Sequence, residues 1–198
     1  MTRRERRALE REQKKSRVSP RTKLSYWYRL VPCLAAFLIY ARSLSFGFVC
    51  DDWLQIVINP QIKSWHFLPE LLTTHLWSQF DDTPAPSLVR YYRPVFSVWL
   101  LLVHTLGGVA PFAWHLATVM LHVAVTYLVF KIALELLERP IAASAAACLF
   151  AIHPIHLEDV CWISAANELI YAGFALCSLL FLFYGNRRAR PAYIWLSL

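Results

Sequence analysis

The sequence predicts an all-α protein, a polytopic bundle of transmembrane helices with an outer loop that carries an amphipathic interfacial helix. Hydrophobic residues make up 58% of the 198 residues and charged residues only 17%, whereas soluble domains are about half apolar and a quarter charged. Eight tryptophans and nine tyrosines add rings of the kind that gather at bilayer interfaces. These observations together exclude an ordinary soluble domain.

Residues 1–24 form a basic segment that contains ten Lys or Arg against three Glu. Next to an apolar run, such a segment is typical of a cytoplasmic tail that faces anionic lipid, each basic residue contributing about 1 kcal/mol. The segment lacks the aromatic platforms of a nucleic-acid reader, so no nucleic-acid partner is expected. No Ala-x-Ala cleavage site follows, which favours a retained signal anchor over a signal peptide.

A membrane module is predicted over residues 25–190, because apolar runs there approach the roughly 20 residues that cross a bilayer. A mixed loop, residues 47–110, separates the first run from the rest; it contains short amphipathic pieces, most clearly at 62–73, and an acidic pair, Asp81-Asp82, that is predicted to lie in a solvated loop. Residues 191–198 are predicted to begin a further span. The predicted spans are 27–46, 112–137, 141–153 and 167–184.

The distribution of charge decides how the apolar segment 94–106 is interpreted. If it crossed the membrane, Arg139 and Arg187–Arg190 would lie opposite the basic tail, and if it lies along the interface, all the basic segments share one side. The positive-inside rule favours the second arrangement. It places Asp51 and Asp52, Arg93 and the 153–159 segment together on the outer face.

The outer face therefore combines groups that can act on a hydroxyl and a phosphate. A carboxylate such as Asp51 can remove a proton, and Arg93 or a protonated His can stabilise a departing phosphate. His153, His156, Glu158 and Asp159 provide further polar groups, and a divalent metal held by Asp and His side chains is an open alternative.

Structural interpretations of the same residues also remain open. An acidic pair at the end of a span can be a solvated stop, His153 and His156 can cap a helix end, and Arg93 can anchor a lipid headgroup. His115 and His122 fall on one face of the 112–137 span and can be packing residues. A transporter is disfavoured because the acids cluster at span ends and not at midplane positions.

The order of motifs resembles one family, the transmembrane and tetratricopeptide-repeat O-mannosyltransferases and their bacterial relatives among the GT-C glycosyltransferases. The resemblance is to their N-terminal membrane module and covers about residues 25–190. It rests on five motifs: Phe46-Gly47-Phe48-Val49-Cys50-Asp51-Asp52, Asn59-Pro60, Tyr92-Arg93-Pro94, His115-Leu116 with Leu121-His122, and the run from Leu149 to Glu158.

The resemblance implies inverting transfer of a sugar, with mannose suggested by the family, from a polyprenyl-phosphate-linked donor to a protein or glycan acceptor. The reaction would take place on the periplasmic, extracellular or ER-lumenal face. Asp51 matches the acceptor-activating base, and Asp52 would support it or touch an ion. The residues that would bind the donor phosphate or the acceptor are Arg93, His153, His156, Glu158 and Glu168.

The sequence also departs from this family. Ala166 stands where relatives commonly carry Arg, and Thr118 stands where an Asn is frequent. GT-C modules have more spans, and the tetratricopeptide repeats expected downstream are absent, so the chain is expected to be an N-terminal fragment or a truncated product without activity of its own. A non-catalytic membrane scaffold or anchor is the rival hypothesis.

Overall fold

The computed structural model describes residues 26–78 and 91–188, and these residues are helical with no β-strand among them. The predicted all-α class is confirmed. The predicted tail 1–24, the acidic pair at 81–82 and the segment 191–198 lie outside the described residues.

The first helix, α1, is Trp27–Tyr40, and it continues as a 3₁₀ turn over Ala41–Ser45. An α-helix rises about 1.5 Å per residue and a 3₁₀-helix about 2.0 Å. The two pieces together therefore reach about 30 Å, the thickness of a hydrocarbon core. This element lies over the first predicted span, 27–46.

The first loop is built from short turns packed beneath one apolar helix. A π-helical turn at Trp53–Val57 is followed by 3₁₀ turns at Gln61–Lys63 and Trp65–Phe67 and by α2, Leu68–Thr73. The sequence suggested one amphipathic piece over 62–73, but Ser64 adopts an extended backbone and divides it. Ile56, Ile62 and Leu76 are buried with residues of the helix that follows.

The helix α3, Pro94–Gly107, and the central helix α4, Pro111–Leu137, both begin with proline, which suits a first position because its fixed φ matches the helix and no N–H is needed there. A tight turn joins them, and the Trp114 indole Nε1 donates to the Gly108 carbonyl at 2.8 Å. The end of α3 therefore lies against the beginning of α4.

The helix α5, Pro140–Ala151, is only about 18 Å long by its rise per residue. Beyond it the chain bends by 46° into a segment that runs from Pro154 to Cys161 and ends with α6, Leu157–Cys161. A 3₁₀ turn at Ile163–Ala165 then leads into α7, Asn167–Arg188.

The helix α4 is the centre of the bundle, and α1, α5 and α7 pack around it. Tyr28 packs near Phe130 whereas Tyr40 contacts His122, so α1 runs antiparallel to α4. By contrast, α7 runs parallel to α4, because its early residue Ile170 clusters with Trp114 and its late residue Tyr184 receives the Lys131 ammonium over its ring. We call the end at which α4 and α7 begin the loop end.

Two long apolar helices of the described part can cross a membrane by length and composition, Pro111–Leu137 and Ile163–Gly185, and the bent pair Pro140–Ala151 with Pro154–Cys161 would be a third. Exposed apolar side chains cover these helices, among them Met120, Leu149 and Phe174. Such surfaces suit lipid, and the chain is a membrane protein. The predicted orientation across the membrane stays a prediction.

Candidate functional site

Asp52 is completely buried, and both of its carboxyl oxygens are held by the fold. Oδ1 accepts from the Ser164 backbone N–H at 2.9 Å and from the Ser164 hydroxyl at 2.6 Å, and Oδ2 accepts from the Val49 N–H at 3.1 Å. Burial raises the pKa of this carboxyl, while the hydrogen bonds from Ser164 and Val49 act in the opposite direction. Asp52 therefore joins the segment after α1 to the segment before α7.

Two hydrogen bonds between Val49 and Asp52 hold the turn that carries Asp52. The Asp52 N–H donates to the Val49 carbonyl at 3.0 Å, and the Asp52 carboxyl accepts from the Val49 N–H, the same contact that the acidic side chain makes in one half of a capping box. Between them, Cys50 has a φ of 47°, which is uncommon for a residue with a side chain. This turn fixes the direction in which the next residue, Asp51, leaves the backbone.

Asp51 lies beside Asp52 but has a different environment. It is half-buried, and within the described residues its carboxyl accepts no hydrogen bond and pairs with no cation. The loop end thus holds one carboxyl that is committed to the fold and one that is available to a ligand.

Arg93 stands at the beginning of α3 and reaches the beginning of α7. Its Nη1 donates to the Asn167 side-chain oxygen at 3.1 Å, and its guanidinium lies over the Tyr91 ring, 4.6 Å from the centroid. Asn167, which is 2% exposed, in turn donates from Nδ2 to Glu168 Oε1 at 2.8 Å. Arg93 and Glu168 are therefore brought together through one amide and not through a direct ion pair.

Ser164 and Asn167 join the segment before α7 to Asp52 and to Arg93, and neither residue was predicted from the sequence. Ser164 holds Asp52 across 112 residues and Asn167 holds Arg93 across 74 residues. The available signal was a pair of polar residues in Ser164-Ala165-Ala166-Asn167, three positions apart at the beginning of an apolar helix. Their partners lie too far away in sequence to be inferred from that spacing.

His153 and His156, in the segment between α5 and α6, form a separate cluster at the loop end of the bundle. His156 lies 5.2 Å from His122 between ring centroids, and its Nδ1 is 3.9 Å from Asp159 Oδ2. His153 is exposed and its Nδ1 accepts from the Ile155 N–H at 3.2 Å, so it caps the 3₁₀ turn Pro154–His156. Glu158 is exposed, and no side-chain contact within the described residues fixes it.

His115 and His122 are packing residues that also tie loop segments to α4. Both are fully buried. His115 Nε2 lies 3.3 Å from the Gly47 carbonyl, and His122 Nε2 lies 3.0 Å from the Ala151 carbonyl. Because a carbonyl only accepts, each Nε2 carries the proton and donates. They hold the first loop and the end of α5 in place.

The described residues contain no group of three His, Cys, Asp or Glu side chains arranged to hold a metal ion. Asp52, which by the resemblance would support the base or touch an ion, has its oxygens occupied by Val49 and Ser164. The described residues therefore supply no ligand set to which a divalent metal could be assigned.

Ala166, the position of the departure from the family, is fully buried against Ile163 and Ile170. A guanidinium at this position would enter the apolar cluster. A guanidinium from another part of the chain still lies next to this position, because Arg93 contacts the adjacent Asn167. Thr118, the other departure, is also buried and donates to the Trp114 carbonyl within α4.

The fold and the site together define an all-α membrane protein whose two loops meet at one end of a helix bundle. Comparison with known proteins gives its relatives. The chain is 35% identical over 143 residues to the protein O-mannosyl-transferase Tmtc1 of Drosophila melanogaster, a match that covers 71% of this chain and 16% of the relative. It is 31% identical over 172 residues to the protein O-mannosyl-transferase TMTC2 of Mus musculus, covering 84% of this chain and 20% of the relative.

The chain is homologous to a part of the protein O-mannosyl-transferases of the transmembrane and tetratricopeptide-repeat family, and the resemblance predicted from the motifs is confirmed. It spans less than a quarter of the length of these curated relatives. No family model matches the chain, and no solved structure does.

Proposed function

We propose that this chain forms part of a membrane glycosyltransferase that transfers a sugar from a polyprenyl-phosphate-linked donor to an acceptor hydroxyl on the extracytoplasmic face. The relatives are named protein O-mannosyl-transferases, which supports mannose as the sugar and a protein as the acceptor. The observation that carries the proposal is the contrast between Asp52, which the fold holds completely, and Asp51, whose carboxyl has no protein partner among the described residues.

In the proposed reaction Asp51 is the general base. Its carboxylate takes the proton from the acceptor hydroxyl as that oxygen attacks the anomeric carbon of the sugar. The bond between the anomeric carbon and the phosphate oxygen breaks, and the polyprenyl phosphate leaves with the bonding electrons. Attack from the face opposite the leaving group inverts the anomeric centre.

Arg93 is proposed to stabilise the departing phosphate. A guanidinium stays charged and presents five N–H donors in a plane. In the described structure one nitrogen is committed to Asn167, and the group has no carboxylate partner there. Four further residues are proposed to bind the acceptor or the donor around Asp51 and Arg93: His153, His156, Glu158 and Glu168. The first three follow the end of α5, and Glu168 lies at the beginning of α7.

The test compares Asp51→Asn with Glu70→Gln in the protein expressed from the full-length coding sequence. Glu70 is exposed in the first loop and accepts from Gln61 Nε2 at 2.6 Å, a hydrogen bond that a glutamine oxygen can still accept. Transfer of labelled mannose from polyprenyl-phosphate mannose is measured in membranes at matched expression. General-base catalysis contributes about 10²–10⁴-fold, so Asp51→Asn should lose at least a hundredfold of the rate.

Glu70→Gln should transfer mannose at the unmodified rate. If Asp51→Asn also retains full activity, Asp51 is not the base. If the unmodified protein transfers no sugar from this donor, the glycosyltransferase proposal fails and the scaffold hypothesis is favoured.

A further inference from the structure

Arg93 remains without a carboxylate partner although a carboxyl group lies one side chain away. Its Nη1 contacts Asn167 Oδ1 at 3.1 Å, and the same amide contacts Glu168 Oε1 at 2.8 Å. Neither Arg93 nor Glu168 forms an ion pair within the described residues. Asn167 therefore lies between Arg93 and Glu168, which would otherwise be close enough in charge and position to form an ion pair.

The orientation of the Asn167 amide follows from its two neighbours. A guanidinium has only donors, so the amide oxygen must face Arg93, and a carboxylate oxygen accepts, so the amide nitrogen must face Glu168. The side chain is 2% exposed, which prevents it from exchanging these contacts for water. The amide is held in one orientation between the two groups.

We propose that Asn167 is a positioning residue that aims Arg93 at the phosphate of the donor while leaving its charge unneutralised. This inference rests on the function proposed above. A carboxylate in the same place would form a charge-assisted pair with the guanidinium, and that pair would compete with the substrate phosphate. A neutral amide orients one nitrogen and leaves the remaining N–H groups to the ligand.

Tyr91 completes the support of Arg93. The guanidinium carbon lies 4.6 Å from the centre of the Tyr91 ring, a cation–π contact that fixes the plane of the group without cancelling its charge. Two neutral partners, an amide and an aromatic ring, therefore hold the cation. The charge of the guanidinium therefore stays available to an anion.

The decisive variant is Asn167→Asp in the full-length protein, since it changes the size of the side chain very little and places a carboxylate against Arg93. It also replaces the N–H group that donates to Glu168 by an oxygen, so it is measured alone and together with Glu168→Gln, whose amide N–H can donate to the new carboxylate. The KM for polyprenyl-phosphate mannose should rise about tenfold or more, because close charge pairs couple by at least about 1.5 kcal/mol. The Kd for polyprenyl phosphate, titrated into the purified protein in detergent, should rise by a similar factor. Variants that only misfold would lose Vmax at an unchanged KM.

Asn59→Asp is the matched control. Asn59 is also 2% exposed and lies in the first loop, but its Oδ1 accepts from the Gln61 N–H at 2.9 Å, which a carboxylate can accept equally well. It has no contact with Arg93, so KM and Kd should stay unchanged. Combining Asn167→Asp with Arg93→Gln gives a second check, because the Asp variant should weaken phosphate binding little once the guanidinium is gone.

An unchanged donor KM and polyprenyl-phosphate Kd in folded Asn167→Asp protein would overturn the inference. The failure of the proposed function gives a different result. In that case no variant transfers sugar, yet Asn167→Asp still weakens polyprenyl-phosphate binding relative to Asn59→Asp, and the positioning role of Asn167 holds for a protein that only binds the lipid.

Discussion

Asp51 and Asp52 are adjacent and identical, but their side chains differ in burial and in hydrogen bonding. The first turn of the loop alternates their directions, so Asp52 enters the core and meets three donors while Asp51 keeps a free carboxyl. A buried carboxyl that is fully hydrogen-bonded stabilises one geometry, and a carboxyl without partners is ready for a substrate proton. Their order in the sequence carried no sign of this division.

Asp52→Asn should destabilise the protein while Asp51→Asn should not. An amide has one oxygen and cannot accept from Ser164 and Val49 on both sides, so its nitrogen would be directed at a backbone N–H. Leaving a buried donor unsatisfied costs about 1–3 kcal/mol. Thermal unfolding of the detergent-solubilised protein, followed by tryptophan fluorescence, should show a lower midpoint for Asp52→Asn only. Equal midpoints for the two variants would contradict the bridging role of Asp52.

At the scale of the elements, the turn between α3 and α4 depends on two glycines for different reasons. A Cβ on Gly107 would collide with the Ala113 side chain, whereas Gly108 has open space around it but a φ of +57°. Gly107 allows the two helices to approach closely, and Gly108 allows the chain to reverse between them. The reversal returns the chain to the loop end, where α4 begins.

Replacing either glycine by alanine should destabilise the protein. Gly107→Ala should cost about 1–3 kcal/mol because the packed site has no room, and Gly108→Ala should cost about 1–3 kcal/mol as backbone strain. Gly47→Ala is the control, since Gly47 has neither a neighbour within 4 Å nor a positive φ, and it should leave the unfolding midpoint unchanged. A large loss for Gly47→Ala would show that the first loop is packed more tightly than described.

The long helices were the elements that the sequence predicted best. The segments expected at 94–106 and 112–137 correspond to α3 and α4, because an apolar run that opens with proline after a loop marks a helix start locally. The division of 62–73 into three turns was not predicted, since it depends on how Ile62 is buried against α3. The contacts of Ser164 and Asn167 were missed for the same reason, because tertiary packing and not local pattern creates them.

At the scale of the whole molecule, both ends of α3 lie at the loop end of the bundle. Arg93 at its beginning contacts Asn167 at the beginning of α7, and Gly108 after its end accepts from Trp114 near the beginning of α4. A helix whose two ends meet the same end of the bundle is suited to lie along the interface. This geometry supports the charge argument, in which Arg139 belongs to the opposite side of the membrane from Asp51.

Cysteine labelling in sealed vesicles of known orientation tests this topology. Cys50 is exposed beside Asp51, and with every other cysteine of the full-length protein replaced by alanine it becomes a single target for a membrane-impermeant maleimide. Val109→Cys, in the exposed connection after α3, and Arg139→Cys, in the exposed connection after α4, are made in a variant that also lacks Cys50. The interfacial arrangement predicts that Cys50 and position 109 react from the extracytoplasmic side and that position 139 reacts from the cytoplasmic side. If position 109 reacts from the cytoplasmic side and position 139 from the extracytoplasmic side, α3 crosses the membrane, and if Cys50 reacts from the cytoplasmic side, the proposed active-site face is inverted.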